Sequence, residues 1–381
     1  MYLRIVYRIF KKYQVRDMIR ILHIVSSLGT GSGVMSVLMS YHRHIDRSKV
    51  QFDYLSFRQT DVTFEAEVLA LGGKVYHFPR PSLKAGFQKK LDAFFAEHAG
   101  EYAAVHCHPI YASVIFGKSA RNHGVGHVIQ HSHSTQLSET LPGKVRNFTM
   151  LCIFGRRATD FAACSEAAKK MFFWKKPEDI YLMRNAIDVD KFIFSPEKRE
   201  SLRSALGIGT DTPLLGHVGR FTKQKNHTFL IQVFAEVLKL RPDAKLLLLG
   251  DGVLLEPIRV MCSQMGMEDS VIFAGRQTDV AGYMSAMDIF MLPSLFEGLP
   301  IVLVEAQANG IPCLAADTIT PESDVTRTVS FLSLENKEAW ASKAMTLVTD
   351  NSREQNDLLT AAGYNIAVEA TNLASHYASL K

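Results

Sequence analysis

Cysteine is scarce and dispersed in this chain: Cys107, Cys152, Cys164, Cys262 and Cys313 form no C-x-x-C pair. That excludes a disulfide framework and a four-thiolate zinc site, and it predicts a reducing, cytoplasmic compartment. Long apolar runs are absent too. None approaches the roughly 18 residues needed to cross a bilayer, and no apolar centre behind a basic start reads as a cleavable leader. Basic and aromatic residues do not recur on any nucleic-acid-binding module, so nucleic acid is not an expected partner. Nor does the composition favour disorder. With 47% apolar, 21% charged and 10% aromatic side chains, 381 residues are enough for two packed domains.

The net charge of +5 is unevenly divided. Up to residue 190 there are 26 basic and 16 acidic side chains, and beyond it 17 and 22. A basic first half suits an anionic surface or acceptor, although a solvated face needs no partner. The opening MYLRIVYRIFKKYQVRD interleaves apolar residues with Arg4, Arg8, Lys11, Lys12 and Arg16. It reads either as a short surface-binding helix or as an extension the fold does not need, so residues 1–18 are set apart.

From residue 19 short apolar runs alternate with helical patterns: IRILHIVSS, FDYLSF, KVYHFP, AAVHCH and HVIQHSHS, then TPLLGHVG, AKLLLLG, SVIFAG, IFMLPS, PCLAAD and FLSL. Continuous apolar strands separated by helices predict parallel sheets covered on both faces, hence an α/β class with two doubly wound domains. The join is expected near MRNAIDVDKFIFSP, where a strand-like IYLMRN gives way to polar turn residues, giving domains 19–188 and 189–350. Residues 351–381 read as a helical segment that packs back on the first domain. Ligands of open parallel sheets bind beyond the strands' carboxyl ends, so the chemistry is expected in a cleft between the two.

Three segments carry chemistry. In SSLGTGSGVMSV, Gly29, Gly31 and Gly33 let backbone amides approach a phosphate at a helix start. Val34 occupies the last glycine position of a dinucleotide fingerprint, which counts against an oxidoreductase. In HVGRFTKQKNH, Gly219 permits close backbone approach, and Arg220 and Lys225 stand five apart, a pair suited to a leaving diphosphate. In IFMLPSLFEGLPIVLVEAQANGIP, seven residues separate Glu297 from Glu305. Pro300 reads as the first residue of a helix beginning near Leu299, whose free amides face a ligand. Glu305 among apolar neighbours calls for hydroxyl donors such as a ribose, unless it is simply exposed.

His106 and His108 in VHCHPIYAS, and His131 and His133 in VIQHSHST, fall at strand ends of the first domain. That placement suits contact with a ligand, and their spacing supports no zinc site. Asp188-Val189-Asp190 spells a D-x-D, for which a capped turn suffices, so no metal is expected. The basic stretch from Lys144 to Lys176 with Phe172, Phe173 and Trp174 reads either as a face for anionic lipid or as a helix with core aromatics.

Taken together, GRFTKQKN, the GDG at Gly250 to Gly252, SVIFAGRQTDV and EGLPIVLVE resemble the retaining glycosyltransferases of the GT-B fold, specifically glycosyltransferase family 4 (group 1). SGVMSVLMSYHRHID, HSHST and DTITPESDVT resemble the branch that builds bacterial capsular and exported polysaccharides. The resemblance implies a nucleotide-diphosphate sugar, a UDP-sugar before a GDP-sugar, transferred to a lipid-linked or growing saccharide at the inner membrane face. It places Glu305 on the ribose, Glu297 on the transferred sugar, and Arg220 and Lys225 on the diphosphate. Gly219, Gly252, Gly298 and Leu299 line the nucleotide site, Gly33 closes over the phosphates, and Arg276 and Gln277 lie near the base. The family has a Gly-Gly pair where this chain has Ser32-Gly33. One of His131 and His133 matches a histidine beside the sugar, and no cofactor or metal is implied. A nucleotide-sugar epimerase and a non-catalytic sugar-nucleotide-binding subunit are the alternative readings.

Overall fold

The computed structural model describes residues 18–133, 137–138, 141–154, 157–348, 353 and 357–380. The basic extension lies outside the described residues except for Met18. The chain divides into two compact units, one running to Ala186 and taking up Ile366–Lys381, the other Ile187–Asn365.

The first unit is built on seven strands: β1 (Ile19–Val25), β2 (Val50–Ser56), β3 (Val75–His77), β4 (Ala104–Cys107), β5 (His127–Ser132), β6 (Asp160–Ala163) and β7 (Ile180–Leu182). Their order is β3-β2-β1-β4-β5-β6-β7, every pair parallel. β2 is buried along its whole length, as a strand covered on both faces must be. Six of these seven segments read as strands in the sequence. β6 did not, because DFAA offers small side chains and no β-branched residue.

The second unit holds β8 (Leu214–Val218), β9 (Lys245–Leu249), β10 (Val271–Gly275), β11 (Ile289–Leu292), β12 (Cys313–Ala316) and β13 (Val329–Leu332). They lie in the order β10-β9-β8-β11-β12-β13, again all parallel. Both units are therefore doubly wound α/β sheets. In each the order reverses once, between β1 and β4 and between β8 and β11, and such a switch point splays the following loops apart to leave room for a ligand.

Two local expectations change. The helix after β11 spans Ile301–Ala308, and Pro300 is its N-cap in extended conformation rather than its first helical residue. The unit boundary falls at Ala186 and the return to the first unit at Ile366, so residues 357–365 belong with the second. The closing helix Ile366–Ser379 buries Ile366, Leu373 and Tyr377 and packs on the helix Gly33–His44.

Candidate functional site

The loops that leave β8 and β11 flank the switch point of the second unit, and a side chain from each meets the other. Lys225 Nζ donates to Glu297 Oε1 at 2.7 Å, with side chains 16% and 9% exposed. At that burial neither charge is affordable alone. Gln224 completes the arrangement, its Nε2 donating to Glu297 Oε2 at 3.2 Å and to the Phe296 carbonyl at 3.0 Å. Its own carbonyl accepts from Leu295 N–H at 2.8 Å. The two loops are thus stitched together, and Glu297 is fixed by two donors.

Glycine is required where this loop turns. A Cβ on Gly219 would lie 2.7 Å from His217 Nε2 and 3.2 Å from Lys225 Cδ, so the bare backbone lets the lysine stem lie across it. Gly219 N–H donates to Leu249 O, and Phe221 N–H to Asp251 O at 2.7 Å. Gly250, at φ +138°, faces the Gly219 carbonyl so closely that a side chain would collide with it. The loops after β8, β9 and β10 therefore form one block, since Gly250 N–H also donates to Gly275 O. Arg220 is exposed on the same β8 loop as Lys225.

Glu305 sits on the helix that the Glu297 loop leads into, past Gly298 and Leu299. Its side chain is partly buried, and among the described residues it has no hydrogen-bond or ion-pair partner. Burial raises its pKa to about 7, opposed by the more distant charge of Lys191. Of the remaining expected contacts, Gln277 Nε2 donates to the Ala274 carbonyl at 2.6 Å, and Arg276 lies 3.5 Å from Asp251. Both of the latter are about half exposed, so the pair fixes little. The loop of Gly252 packs under Phe221. Asp188 caps a turn, its carboxylate accepting from Lys191 N–H at 3.3 Å.

In the first unit, Gly33 opens the helix Gly33–His44 after β1, with Ser32 as N-cap accepting from Met35 N–H. A Cβ at Gly33 would meet nothing within 4 Å, so the helix start is open on that side. The histidines do more than their sequence spacing suggested. His23 on β1 is the register partner of His106 on β4, and with His108, His131 and His133 they form one cluster. His23 Nδ1 and His108 Nε2 are 2.9 Å apart, and His108 Nδ1 and His133 Nε2 2.8 Å. His106 bonds Tyr377 Oη through Nδ1 at 2.7 Å and His131 Nδ1 through Nε2 at 3.1 Å. Burial pushes the pKa values of His23, His106, His108 and His131 well below the usual imidazole range, and that of His133 down to about 4. Burial thus favours the neutral form of all five.

Two groups of three, His23/His106/His108 and His108/His131/His133, bring ring nitrogens within 4.8 Å, an assembly that linear spacing could not reveal. Ring orientation disfavours shared coordination. A metal lies in the plane of each ligating imidazole, whereas His131 and His133 are stacked at 3.9 Å with planes 23° apart, and His106 and His108 at 4.5 Å and 17°.

Sequence reasoning missed Gln224, His23 and Tyr377. Gln224 adjoins a recognised lysine, but only the meeting of the β8 and β11 loops gives it a role. His23 and Tyr377 carry no motif at all.

Residues 198–365 match the family described as "Glycosyl transferases group 1". The chain is 34% identical over 314 residues to the putative glycosyltransferase EpsF of Bacillus subtilis strain 168, covering 80% of this chain and 81% of that one. It is 27% identical to an Escherichia coli UDP-Gal:alpha-D-GlcNAc-diphosphoundecaprenol alpha-1,3-galactosyltransferase, over 57% and 58% of the two chains. Among solved structures, HepE of Anabaena in complex with UDP and glucose superposes with a TM-score of 0.71 at 21% identity, covering 95% of this chain and 97% of that one. Sucrose-phosphate synthase of Thermosynechococcus elongatus gives 0.75 at 17% identity, covering 96% and 99%. These two likenesses are of fold.

Proposed function

The chain belongs to the group 1 glycosyl transferases, with their GT-B fold, and from that membership we propose that it moves a hexosyl unit from a UDP-sugar to a lipid-linked or growing saccharide, with retention, in surface polysaccharide biosynthesis. The observation that carries this reading is the Lys225–Glu297–Gln224 constellation at the β8/β11 switch point. Lys225 has three donors and spends one on Glu297, so two remain for phosphate oxygens. Exposed Arg220 adds a planar fork on the same loop. Together they neutralise the diphosphate as its bond to the sugar breaks, the charge compensation that a metal supplies in other sites. Glu297, held rigid by two donors, keeps lone pairs for hydroxyls of the transferred sugar, and Glu305 accepts from the ribose. Gly298, Leu299, Gly252, Arg276 and Gln277 line the nucleotide.

A UDP-linked donor and a lipid-linked acceptor are supported by the Escherichia coli relative, whose name carries both, and by HepE, seen with UDP and glucose. Membrane contact is supported by an exposed face in the first unit. On the helix Leu141–Phe154, Leu141, Val145 and Phe148 recur on one stripe and are 73%, 60% and 49% exposed. The Phe148 ring stacks on Phe173 at 5.7 Å, beside exposed Trp174. Lys144, Arg146 and Lys176 are exposed among them, as an interfacial surface for anionic lipid requires.

The test is a panel of nucleotide sugars offered with diphospho-lipid saccharide acceptors, with and without EDTA. Transfer from a UDP-sugar, a product retaining the donor's anomeric configuration and rates unchanged by chelation are expected. Consumption of UDP-sugar without acceptor would point to the epimerase instead, and rates abolished by EDTA would remove the cationic mechanism.

A further inference from the structure

Backbone pairing of β8 with β11 covers Leu215–Ile289 and Gly216–Phe290. One residue further along each strand the contact passes to a side chain: His217 Nδ1 lies 2.8 Å from the Met291 carbonyl oxygen. A carbonyl can only accept, so Nδ1 carries a proton and donates it. The imidazole, fully buried in the second unit, thus joins the two strands at the place where they begin to part. One of them leads on to Lys225 and the other to Glu297.

The opposite edge of the ring faces the lysine arm. His217 Nε2 and the Lys225 stem meet over Gly219, 2.7 Å and 3.2 Å from the point a Cβ would occupy there. The lysine segment holds the ring a second way. Asn226, at φ +55°, leads from the short turn bearing Lys225 into the helix His227–Leu240, and the His227 ring meets His217 edge to face at 4.8 Å. His227 is itself stacked on Phe221 at 4.0 Å, and His217 lies parallel to Phe290 at 6.3 Å. A ring packed on these sides and bonded at Nδ1 is held in one orientation. Burial, then the neighbouring His227, pushes the His217 pKa well below the usual imidazole range, and Lys225 adds to the effect. An uncharged Nε2 beside the lysine arm adds no repulsion to the ammonium, whereas a protonated one would.

We propose that His217 is a positioning residue: through its bond to Met291 and its packing on the lysine arm it fixes the reach from Lys225 to Glu297. That the pair serves a nucleotide sugar rests on the function proposed above; the link from His217 to the pair does not. The tolerance is small. A displacement of about 1 Å between the two loops would stretch the 2.7 Å Lys225–Glu297 contact beyond hydrogen-bond range.

The experiment compares His217→Asn, whose amide nitrogen falls where Nδ1 lies and keeps the donor, with His217→Leu, which fills similar volume and removes it. Replacing a buried ring lowers Tm in both, so stability alone does not decide. In a long-range 1H–15N spectrum of the uniformly labelled full chain without ligand, His217 is expected as Nδ1–H. A bare Nδ1 overturns the proposal even if neither variant folds. In urea denaturation the coupling between Lys225→Met and Glu297→Gln is expected to survive in His217→Asn and to vanish in His217→Leu. Coupling kept in both or lost in both overturns the proposal. In transfer assays His217→Leu is expected to lower kcat about tenfold to a hundredfold with KM for the nucleotide sugar changed far less, and His217→Asn to stay within about threefold. Equal losses of kcat in the two variants, or none in His217→Leu, overturn it as well. Coupling that follows the donor, in a protein that transfers no sugar, supports the positioning role and removes the proposed function alone.

Discussion

Glu305 costs the fold stability wherever it is charged. At pH values below the ordinary carboxylate range it is neutral in both folded and unfolded chains. As pH rises toward about 7 the unfolded chain releases a proton that the folded chain retains, so stability falls through this window and the loss is complete above it. Glu305→Gln should therefore raise Tm more at pH 8 than at pH 5, read by thermal denaturation at both. In the proposed contact the ribose hydroxyls would donate to the ionised form, so UDP affinity in the unsubstituted protein should rise from pH 6 to 8 in calorimetry, and Glu305→Gln should flatten that rise. A carboxylate that weakens the fold and strengthens the ligand is what a binding group looks like. The Lys225–Glu297 pair behaves differently. Removing Lys225 alone leaves a largely buried carboxylate with Gln224 as its remaining partner, a loss on the order of 3 kcal/mol. The double variant Lys225→Met, Glu297→Gln should recover most of that in urea denaturation while transfer stays abolished. Recovery of transfer with stability would mean that the pair is architectural.

At the scale of an element, the helix Leu141–Phe154 has its polarity reversed relative to an ordinary surface helix, its apolar stripe facing outward. The KKMFFWKK segment splits the same way. Phe172 is 1% exposed and packs against Phe161, whereas Phe173 is 61% exposed. Of the two readings of its aromatics, the core one holds for Phe172, and Phe173 stands exposed. Replacing Phe148, Phe173 and Trp174 with serine should abolish flotation with phosphatidylglycerol vesicles, and binding by the unsubstituted chain should weaken with added salt. Flotation unaffected by the substitutions would remove this face from consideration.

At the scale of the molecule, the sheets were legible and their side-chain meetings were not. Alternating apolar runs and helical patterns carry period and length, which is why twelve of thirteen strands could be read before any coordinates and only DFAA escaped. Lys225 and Glu297 were each visible from their motifs. Their ion pair and Gln224's part in it depend on β8 lying beside β11, a neighbour relation that local pattern does not encode. The histidines show the same limit. His23, His106 and Tyr377 are separated by most of the chain, and only the register of β1 on β4 and the return of the last helix bring their rings together. Pro300 was misjudged by one position because its φ suits the first helical residue and the N-cap alike. A chain ending at residue 365 should lose the helix that covers Gly33–His44. Hydrogen exchange is expected to show first-unit amides unprotected and second-unit amides still protected.

The helix Ile366–Ser379 is a part of the first unit that the ribosome makes only after the whole of the second. Until it emerges, Tyr41, Tyr54 and His106 lack their final covering, while every strand of the second sheet has already left the exit tunnel. The later-encoded unit can therefore reach its native state before the earlier one, and a nascent chain stalled before this helix holds a finished second unit and an unfinished first one.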